Sequence, residues 1–209
     1  MSENIFTVHN HFRQVLGPVG QVVLAGGAVR DSLRNQEPKD YDIFVLPWQL
    51  DTEWHRNEGR KFIVKDLLKD YKKNQPILTH DYEPYLVADL TWHDVRVQVM
   101  LNPAQSMYSL VETFDWKICK FAWNGSAMYL EFDPNEVIVP GAELELNTVR
   151  FPASTLRRGF RFSERFGMSL PQSTILELCR LTIEKASNWT GPQGANPDMP
   201  SLEANTLVD

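Results

Sequence analysis

Leu24-Ala-Gly-Gly-Ala-Val-Arg-Asp31 and, nine residues further on, Asp40-Tyr-Asp-Ile-Phe-Val45 form the stretch that decides the fold of this chain. It predicts a strand that runs into a Gly-Gly turn, a short helix, and a second strand that opens with two carboxylates. Because strand side chains alternate between faces, Asp40 and Asp42 point the same way. Such a pair can hold Mg2+ ions, and a Gly-Gly turn lets backbone N–H groups approach a triphosphate. The stretch therefore predicts a site that transfers a nucleotide from a nucleoside triphosphate (NTP).

Composition predicts one ordinary domain with a small appendage in a chain of 209 residues. No apolar run is long enough to span a bilayer, and the N-terminus lacks the pattern of a secretory signal. Only two cysteines are present, which fits a reducing cytoplasm and excludes a disulfide framework. The net charge of −6 argues against a general polyanion-binding protein, but a basic stretch remains. Its arginines are Arg150, Arg157, Arg158, Arg161 and Arg165.

Apolar periodicity and turn residues predict the remaining elements. Helices are predicted at 4–16, 28–35, 155–166 and 171–187, and strands at 21–25, 40–46, 85–92, 95–101, 128–132 and 137–139. Residues 51–73 are expected to be partly helical, and residues 106–123 to form two helices with a break near Phe114. His93-Asp94 predicts a two-residue hairpin turn that sets Asp89 opposite Gln98. Inward positions are predicted for Leu156, Phe160, Phe162 and Phe166.

The motif order resembles the nucleotidyltransferase superfamily that includes DNA polymerase beta. More narrowly, Gly26-Gly-Ala-Val-Arg-Asp-Ser-Leu33 with Asp40-Tyr-Asp42 is similar to the head domain of class II tRNA CCA-adding enzymes and bacterial poly(A) polymerases. Asp115 and Ile118 match a segment that lines the nucleotide pocket in that family. The segment Leu156-Arg-Arg-Gly-Phe-Arg-Phe-Ser-Glu-Arg-Phe-Gly167 resembles its neck helix. The resemblance covers roughly residues 20–170. It implies an α+β fold in a short, divergent member: a mixed sheet flanked by helices, then a short helical neck.

The resemblance also implies a mechanism. Asp40 and Asp42 are the catalytic residues and the ligands of two Mg2+ ions, which activate an acceptor 3′-hydroxyl and neutralise the triphosphate. The residues that it assigns to the nucleotide are Gly26, Gly27, Arg30, Asp115, Arg158 and Arg161. Structural alternatives remain open: Arg30 paired with a carboxylate, Asp115 as a helix cap, and the two neck arginines on a solvated basic face.

Three departures from the family bear on activity. The position expected for a third carboxylate holds Gln98, so Gln98 or Asp89 completes the metal site or activity is lost. The base-selecting Asp and Arg that open the family's neck helix correspond to Pro152 and Thr155, which cannot present the same donors and acceptors. The family's body and tail domains have no counterpart in the chain, so we expect any RNA to be held by a smaller surface, an oligomer or a partner.

These patterns favour a Mg2+-dependent nucleotidyltransferase that acts on an RNA 3′ end, with tRNA as the commonest acceptor among the resembling enzymes. The alternatives are an enzyme that modifies a protein or a small molecule, and a catalytically weak NTP-binding regulatory module. The expected partners are an NTP and RNA, with no membrane, and the oligomeric state is open. The expected organisation is a head domain at 1–148, a helical neck at 149–187 and a disordered tail at 188–209.

Overall fold

The computed structural model describes residues 4–48, 62–73 and 86–188. Its strands are β1 (Gly20–Ala25), β2 (Asp40–Pro47), β3 (Lys72–Lys73), β4 (Leu86–Trp92), β5 (Val95–Leu101), β6 (Phe121–Trp123) and β7 (Met128–Leu130). Its α-helices are α1 (Ile5–Leu16), α2 (Gly27–Leu33), α3 (Met107–Val111), α4 (Pro134–Val137), α5 (Pro152–Phe166) and α6 (Gln172–Ser187). A π-helical turn at Ile63–Leu67 and a 3-10 turn at Lys117–Cys119 complete the described elements.

The seven strands form one mixed sheet in the order β3-β4-β5-β2-β1-β6-β7. Strands β2 and β5 run parallel, and the other neighbouring pairs run antiparallel. The β4–β5 hairpin turns at His93 and Asp94, both with positive φ, as a tight two-residue turn requires. Asp89 lies opposite Gln98, so the predicted register is confirmed. The predicted fold class, a mixed sheet flanked by helices, is confirmed as well.

Both faces of the sheet are covered, which explains why β1 is continuously apolar from Val22 to Ala25. Val22 and Leu24 pack on the side of α1, and Val23 and Ala25 pack on the opposite side with residues of α3. The helix α1 contributes Val8, Phe12 and Leu16 to the first core. This double burial fixes β1 and β2 at the centre of the sheet, and their facing ends carry the Gly-Gly turn and the two carboxylates.

Helices α5 and α6 pack on a third apolar cluster, which extends the sheet domain. Its buried members are Trp116, Ile118, Ile138, Leu144, Phe166, Met168 and Leu178. The Trp116 indole N–H donates to the carbonyl oxygen of Thr155 at 3.1 Å, which ties α5 to the segment after α3. The two helices occupy the predicted neck, and the division of the chain at 148/149 stays a prediction.

Two sequence-based predictions of secondary structure are wrong. Residues 106–123 contain α3, a 3-10 turn and then β6, because Phe121, Ala122 and Trp123 are all buried and pair between β1 and β7. The predicted strand at 137–139 does not form: α4 ends at Val137, and Ile138 and Val139 follow it outside any strand. The first turn of α4 is set by Asp133, which accepts from the backbone N–H of Asn135 at 2.7 Å.

The predicted inward face of α5 is only partly right. Phe166 is buried and Phe162 packs beside it, but Phe160 is 51% exposed. Gly159 takes the position that faces the core, since Trp116 occupies the space beside it. Residues 51–61 of the predicted helical region at 51–73, and nearly all of the predicted tail, lie outside the described residues. No described helix is long and apolar enough to cross a membrane.

Candidate functional site

The strand register brings three polar side chains into one row across the sheet. Asp42 on β2 pairs with Gln98 on β5, and Gln98 pairs with Asp89 on β4. Residues that pair across neighbouring strands share a face, so the three side chains project from the same side. Asp40 lies on that face too, two residues before Asp42. The two predicted metal ligands, Asp40 and Asp42, are therefore adjacent, and both are half-buried.

Arg96 occupies the next position along this face. It pairs with Asp40 across the β2–β5 ladder. Its guanidinium binds Asp89, with Nη2 donating to Oδ2 at 2.6 Å and Nε to both carboxylate oxygens at 3.2 Å. Gln98 also donates to Asp89 Oδ2, at 3.4 Å. Asp89, the alternative third carboxylate, is thus held by a cation and an amide of its own hairpin.

Asp42 is the carboxyl group that this arrangement perturbs most clearly. Burial raises the pKa of Asp42 to about 7, and the negative charge of Asp40 adds to the rise. Arg96 and Arg158 act in the opposite direction on that pKa without cancelling it. Two carboxylates that lack a full counter-charge favour a bound cation. Their oxygens are the ligands that Mg2+ takes, commonly one or two carboxylates together with substrate phosphates.

The Gly-Gly turn lies against these carboxylates. A Cβ atom on Gly26 would stand 3.9 Å from Asp42 Oδ2 and 3.9 Å from the Phe114 ring. Gly26 has φ +75° and ψ −134°, a conformation that side chains disfavour. Its N–H donates to the carbonyl oxygen of Phe121 at 2.8 Å. The Gly26 amide is therefore engaged in the sheet, and Gly27, the first residue of α2, is the better candidate for a phosphate contact.

Arg30 is paired with a carboxylate, which was the structural alternative to a role in nucleotide binding. Its side chain is only 2% exposed, and its Nε donates to Asp31 at 2.8 Å. The guanidinium carbon lies 4.7 Å from the centre of the Phe166 ring. Arg165 of α5 donates to the other oxygen of Asp31 at 2.9 Å. Arg30 and Asp31 thus connect α2 to α5, and the role of Arg30 in nucleotide binding stays a prediction.

Asp115 and Arg158 form a pair across the head and the neck. Arg158 Nε donates to Asp115 Oδ2 at 2.8 Å, and Nη2 donates to the same oxygen. Arg158 Nη1 also donates to the Ser154 hydroxyl at 3.3 Å, one turn earlier on α5. Asp115 precedes the 3-10 turn, where Trp116 is the capping residue, so Asp115 does not act as a helix cap. The pair sits close enough to Asp42 for Arg158 to lower its pKa.

Arg161 lies on the same side of α5, between Arg158 and Arg165. Its side chain is exposed, and the ion pairs within the described residues do not include it. Since Arg158 and Arg165 both face the head, Arg161 extends this basic face toward solvent. The geometry brings Asp40, Asp42, Gly26 and Arg158 together, and it leaves Arg161 at the rim.

Sequence reasoning missed two residues of this site. The first is Arg96, and the sequence feature that could have indicated it is a cation two residues before Gln98, on the same strand face. The second is Cys119: burial raises its pKa to about 12, and the charges of Arg30, Asp115, Arg158 and Asp42 also act on it. Cys119 is therefore a neutral thiol among the charged groups of the site. Within 4–48, 62–73 and 86–188, no group of three or more His, Cys, Asp or Glu residues is arranged to hold a metal.

In a comparison with protein families, the chain matches the model described as "Gad2: Gabija anti-defense 2 family protein" over residues 3–137. The chain belongs to the Gabija anti-defense 2 family. The match includes Asp40, Asp42 and Asp115 and ends before α5, so Arg158 lies outside it. Comparison with curated proteins gives no match. The resemblance to CCA-adding enzymes is therefore a resemblance of fold, and the family is a different one.

Solved structures support the fold of this Gabija anti-defense 2 family member. A "tRNA-processing enzyme (apo form I)" aligns with a TM-score of 0.55 and 19% identity, over 93% of this chain and 51% of its own. Complexes of a CCA-adding enzyme with ATP and with CTP each align with a TM-score of 0.53 and 19% identity. They cover 86% and 88% of this chain, and 44% and 45% of theirs. The chain spans about half the length of these structures and shares their fold over most of its own length.

Proposed function

We propose that the chain is a Mg2+-dependent nucleotidyltransferase that moves a nucleoside monophosphate from an NTP to an RNA 3′ end and releases pyrophosphate. The observation that supports this proposal most directly is that Asp40 and Asp42 lie next to each other on one face of β2, beside the Gly26 turn. A carboxylate pair next to a glycine turn suits a metal-bound triphosphate. The nucleotidyltransferase fold supports the same interpretation.

Asp40 and Asp42 would hold the cation, and the amide oxygen of Gln98 would be a weaker, neutral ligand. Bound Mg2+ supplies positive charge that neutralises the triphosphate and the leaving pyrophosphate. The protein's own part is to fix the two carboxylates on a central strand and to keep them half-buried. Substitution of either Asp by Asn would remove the charge that binds the cation and would keep the side-chain volume.

The nucleotide would lie between the Gly-Gly turn and the first half of α5. Gly27 offers a backbone donor at the start of α2, and Arg158 offers a guanidinium that is partly exposed while bound to Asp115. Arginine hydrogen-bonds phosphate oxygens well because its donors form a planar fork. Asp115 would orient Arg158 toward the triphosphate, and Arg161 at the rim would contact the nucleotide or the incoming strand.

RNA is the acceptor that the basic face of α5 favours. Arg157 and Arg161 are exposed on this helix, in a chain whose net charge is negative. A local basic surface attracts a polyanion even when the average charge is acidic. The structural relatives include enzymes described as tRNA-processing and CCA-adding. We therefore propose a tRNA-like acceptor in a reducing cytoplasm, where the two free cysteines are stable.

A second candidate function is an NTP-binding or protein-modifying module in anti-defense. The family description assigns its members to Gabija anti-defense. The site itself favours reduced catalysis, because Gln98 is neutral and Asp89 is bound to Arg96. Under this candidate the same carboxylates bind the metal-bound NTP. Either the acceptor is a protein, or the protein binds the NTP without appreciable transfer.

Transfer of α-labelled NTPs separates these functions. Each of the four labelled NTPs is incubated with the protein, Mg2+ and either bulk tRNA lacking its 3′ end or an extract of bacterial proteins. The leading proposal predicts label in RNA that disappears in Asp40→Asn/Asp42→Asn. Asp94→Asn, in the exposed hairpin turn, is the matched control and keeps activity. Label in protein alone, or bound NTP without transfer, would replace the RNA proposal by the second candidate.

A further inference from the structure

In the row of groups on β2, β5 and β4, the third carboxylate, Asp89, is bound to Arg96, whose backbone pairs with that of Asp40. We propose that this site binds a single Mg2+ together with the NTP, and that Arg96 supplies, beside Asp40, the positive charge that a second ion would supply. The inference rests on the proposed function. It assigns to Arg96 a role in binding the triphosphate that the resemblance to known enzymes does not give it.

The oxygen ligands present are sufficient for one Mg2+ ion. Asp40 and Asp42 are two residues apart on one strand face, and Gln98 pairs with Asp42 on the neighbouring strand. Mg2+ needs only one or two carboxylates when substrate phosphates and water complete its octahedron. A second ion next to the first requires further anionic ligands, because two dications repel each other at short distance. Gln98 contributes no charge toward that requirement.

Asp89 is the nearest further carboxylate in the row, and its oxygens are already engaged. Arg96 donates to both of them, and Gln98 donates to Oδ2. Asp89 is only 6% exposed, so separation from Arg96 would leave a nearly buried charge without its main counter-ion. Breaking a buried pair in this way is strongly unfavourable. Asp89 therefore serves Arg96 as an anchor and does not serve as a metal ligand.

Arg96 is placed to act on the same anion as the metal. Its side chain is 48% exposed, although its Nε and Nη2 are bound to Asp89. The hydrogen bond that Arg96 donates to Asp89 raises the pKa of Arg96, and the charges of Asp89, Asp40 and Asp42 add to this rise. The Arg96 guanidinium is thus a permanent cation. Its bidentate contact with Asp89 fixes it close enough to Asp40 and Asp42 to interact with both charges. A guanidinium so held binds phosphate oxygens without any need for a further metal.

A guanidinium and a metal ion differ in one respect that matters for the reaction. Both stabilise negative charge on a triphosphate, but a metal ion also lowers the pKa of a hydroxyl that coordinates it. The arrangement therefore predicts tight binding of the metal-bound NTP and weak activation of an acceptor hydroxyl. Restoring a carboxylate at position 98 while removing the guanidinium should create the second ion site.

Counting bound Mn2+ by electron paramagnetic resonance tests the inference without requiring activity. The protein is titrated with Mn2+ at saturating α,β-methylene-ATP, which resists transfer. The wild type is expected to bind one ion per chain, and Arg96→Gln/Gln98→Glu is expected to bind two. Arg96→Gln/Asp89→Asn removes both members of the pair and leaves no buried charge unpaired. It should still bind one ion, with affinity for the nucleotide reduced about tenfold by the lost charged contact.

Arg13→Gln, which removes an exposed arginine from α1, is the control for net charge and should bind the nucleotide as the wild type does. Two Mn2+ ions of similar affinity in the wild type would overturn the single-ion inference and leave the proposed function intact. Unchanged nucleotide affinity in Arg96→Gln/Asp89→Asn would overturn the role of Arg96. Absence of Mn2+-dependent nucleotide binding by the wild type would contradict the proposed function itself.

Discussion

Gly159 lies where helix α5 passes closest to the Trp116 ring, and its replacement by alanine should destabilise the fold. A Cβ atom at this position would be 2.6 Å from Trp116 Cζ2, 3.1 Å from Cη2 and 3.3 Å from Leu170 Cδ1. Carbon atoms in contact prefer about 3.5–4.0 Å, so the ring must move by about 1 Å. Trp116 is fully buried, and its indole N–H is bonded to Thr155, so the ring cannot move without breaking other contacts.

The size of the effect follows from three contributions. Overpacking of a core costs about 1–3 kcal/mol, and loss of the indole hydrogen bond costs about 1 kcal/mol. Alanine in a helix interior regains about 1 kcal/mol relative to glycine. The free energy of unfolding should therefore fall by about 1–3 kcal/mol. For a chain of this size, the midpoint of thermal unfolding should drop by roughly 2–4 °C per kcal/mol.

Urea and thermal unfolding, followed by tryptophan fluorescence and circular dichroism, measure this change. A double-mutant cycle with Trp116→Leu supplies the control, because the smaller side chain leaves room for the new methyl group. Gly159→Ala should cost less in the Trp116→Leu background than in the wild type, by at least about 1 kcal/mol. Stabilisation by Gly159→Ala in the wild type, as helix propensity alone predicts, would refute the proposed close contact between α5 and the ring.

Three further predictions concern the site and α1. In the metal-free protein, burial raises the pKa of Asp42 to about 7, so the folded state binds more protons than the unfolded state between about pH 4 and 7. The contribution of Asp42 to the unfolding free energy should therefore fall as pH rises through that window. In urea titrations, the stability of the wild type relative to Asp42→Asn should decrease from about pH 4 to 7. Burial lowers the pKa of His9, whose Nε2 donates to the Val22 carbonyl at 3.0 Å. The contribution of neutral His9 to stability should then be fully present above pH 6.5 and should be lost as pH falls from 6.5 toward the pKa of His9 in the folded state. His9→Gln should remove this loss, and the same titrations detect it. Gly26→Ala should destabilise by about 1–3 kcal/mol through its positive φ, whereas Gly27→Ala, whose Cβ would meet only the Arg30 side chain at 3.4 Å, should cost less in matched thermal melts. Equal costs for the two glycines would contradict the assigned turn geometry.

The centre of the sheet was predictable because its local signals are strong and consistent. The β1 strand, the Gly-Gly turn and the Asp40–Asp42 alternation each follow from short-range patterns. His93 and Asp94 fixed the hairpin turn, and with it the pairing of Asp89 with Gln98. Where a turn type sets the register, the facing of every strand residue follows from the sequence.

The contacts between distant segments were not predictable in the same way. Arg158 and Asp115 are 43 positions apart, and nothing local distinguishes an arginine that binds a carboxylate from one on a solvated face. The same holds for Arg165 with Asp31. Phe160 was expected inside because phenylalanine usually is, but the close approach of Trp116 gives that place to Gly159. The strand β6 was mistaken for a helix because a three-residue apolar run carries no period of its own.

Pyrophosphate release from each of the four NTPs tests the central claim most directly, because transfer to any acceptor releases it. The assay contains Mg2+ and tRNA lacking its 3′ end, and it compares the wild type, Asp40→Asn/Asp42→Asn and the control Asp94→Asn. We predict release by the wild type and by Asp94→Asn, and none above background by the double variant. An equal rate in the double variant, or no release by any of the three proteins, would contradict the assignment of nucleotidyl transfer to the Asp40–Asp42 site.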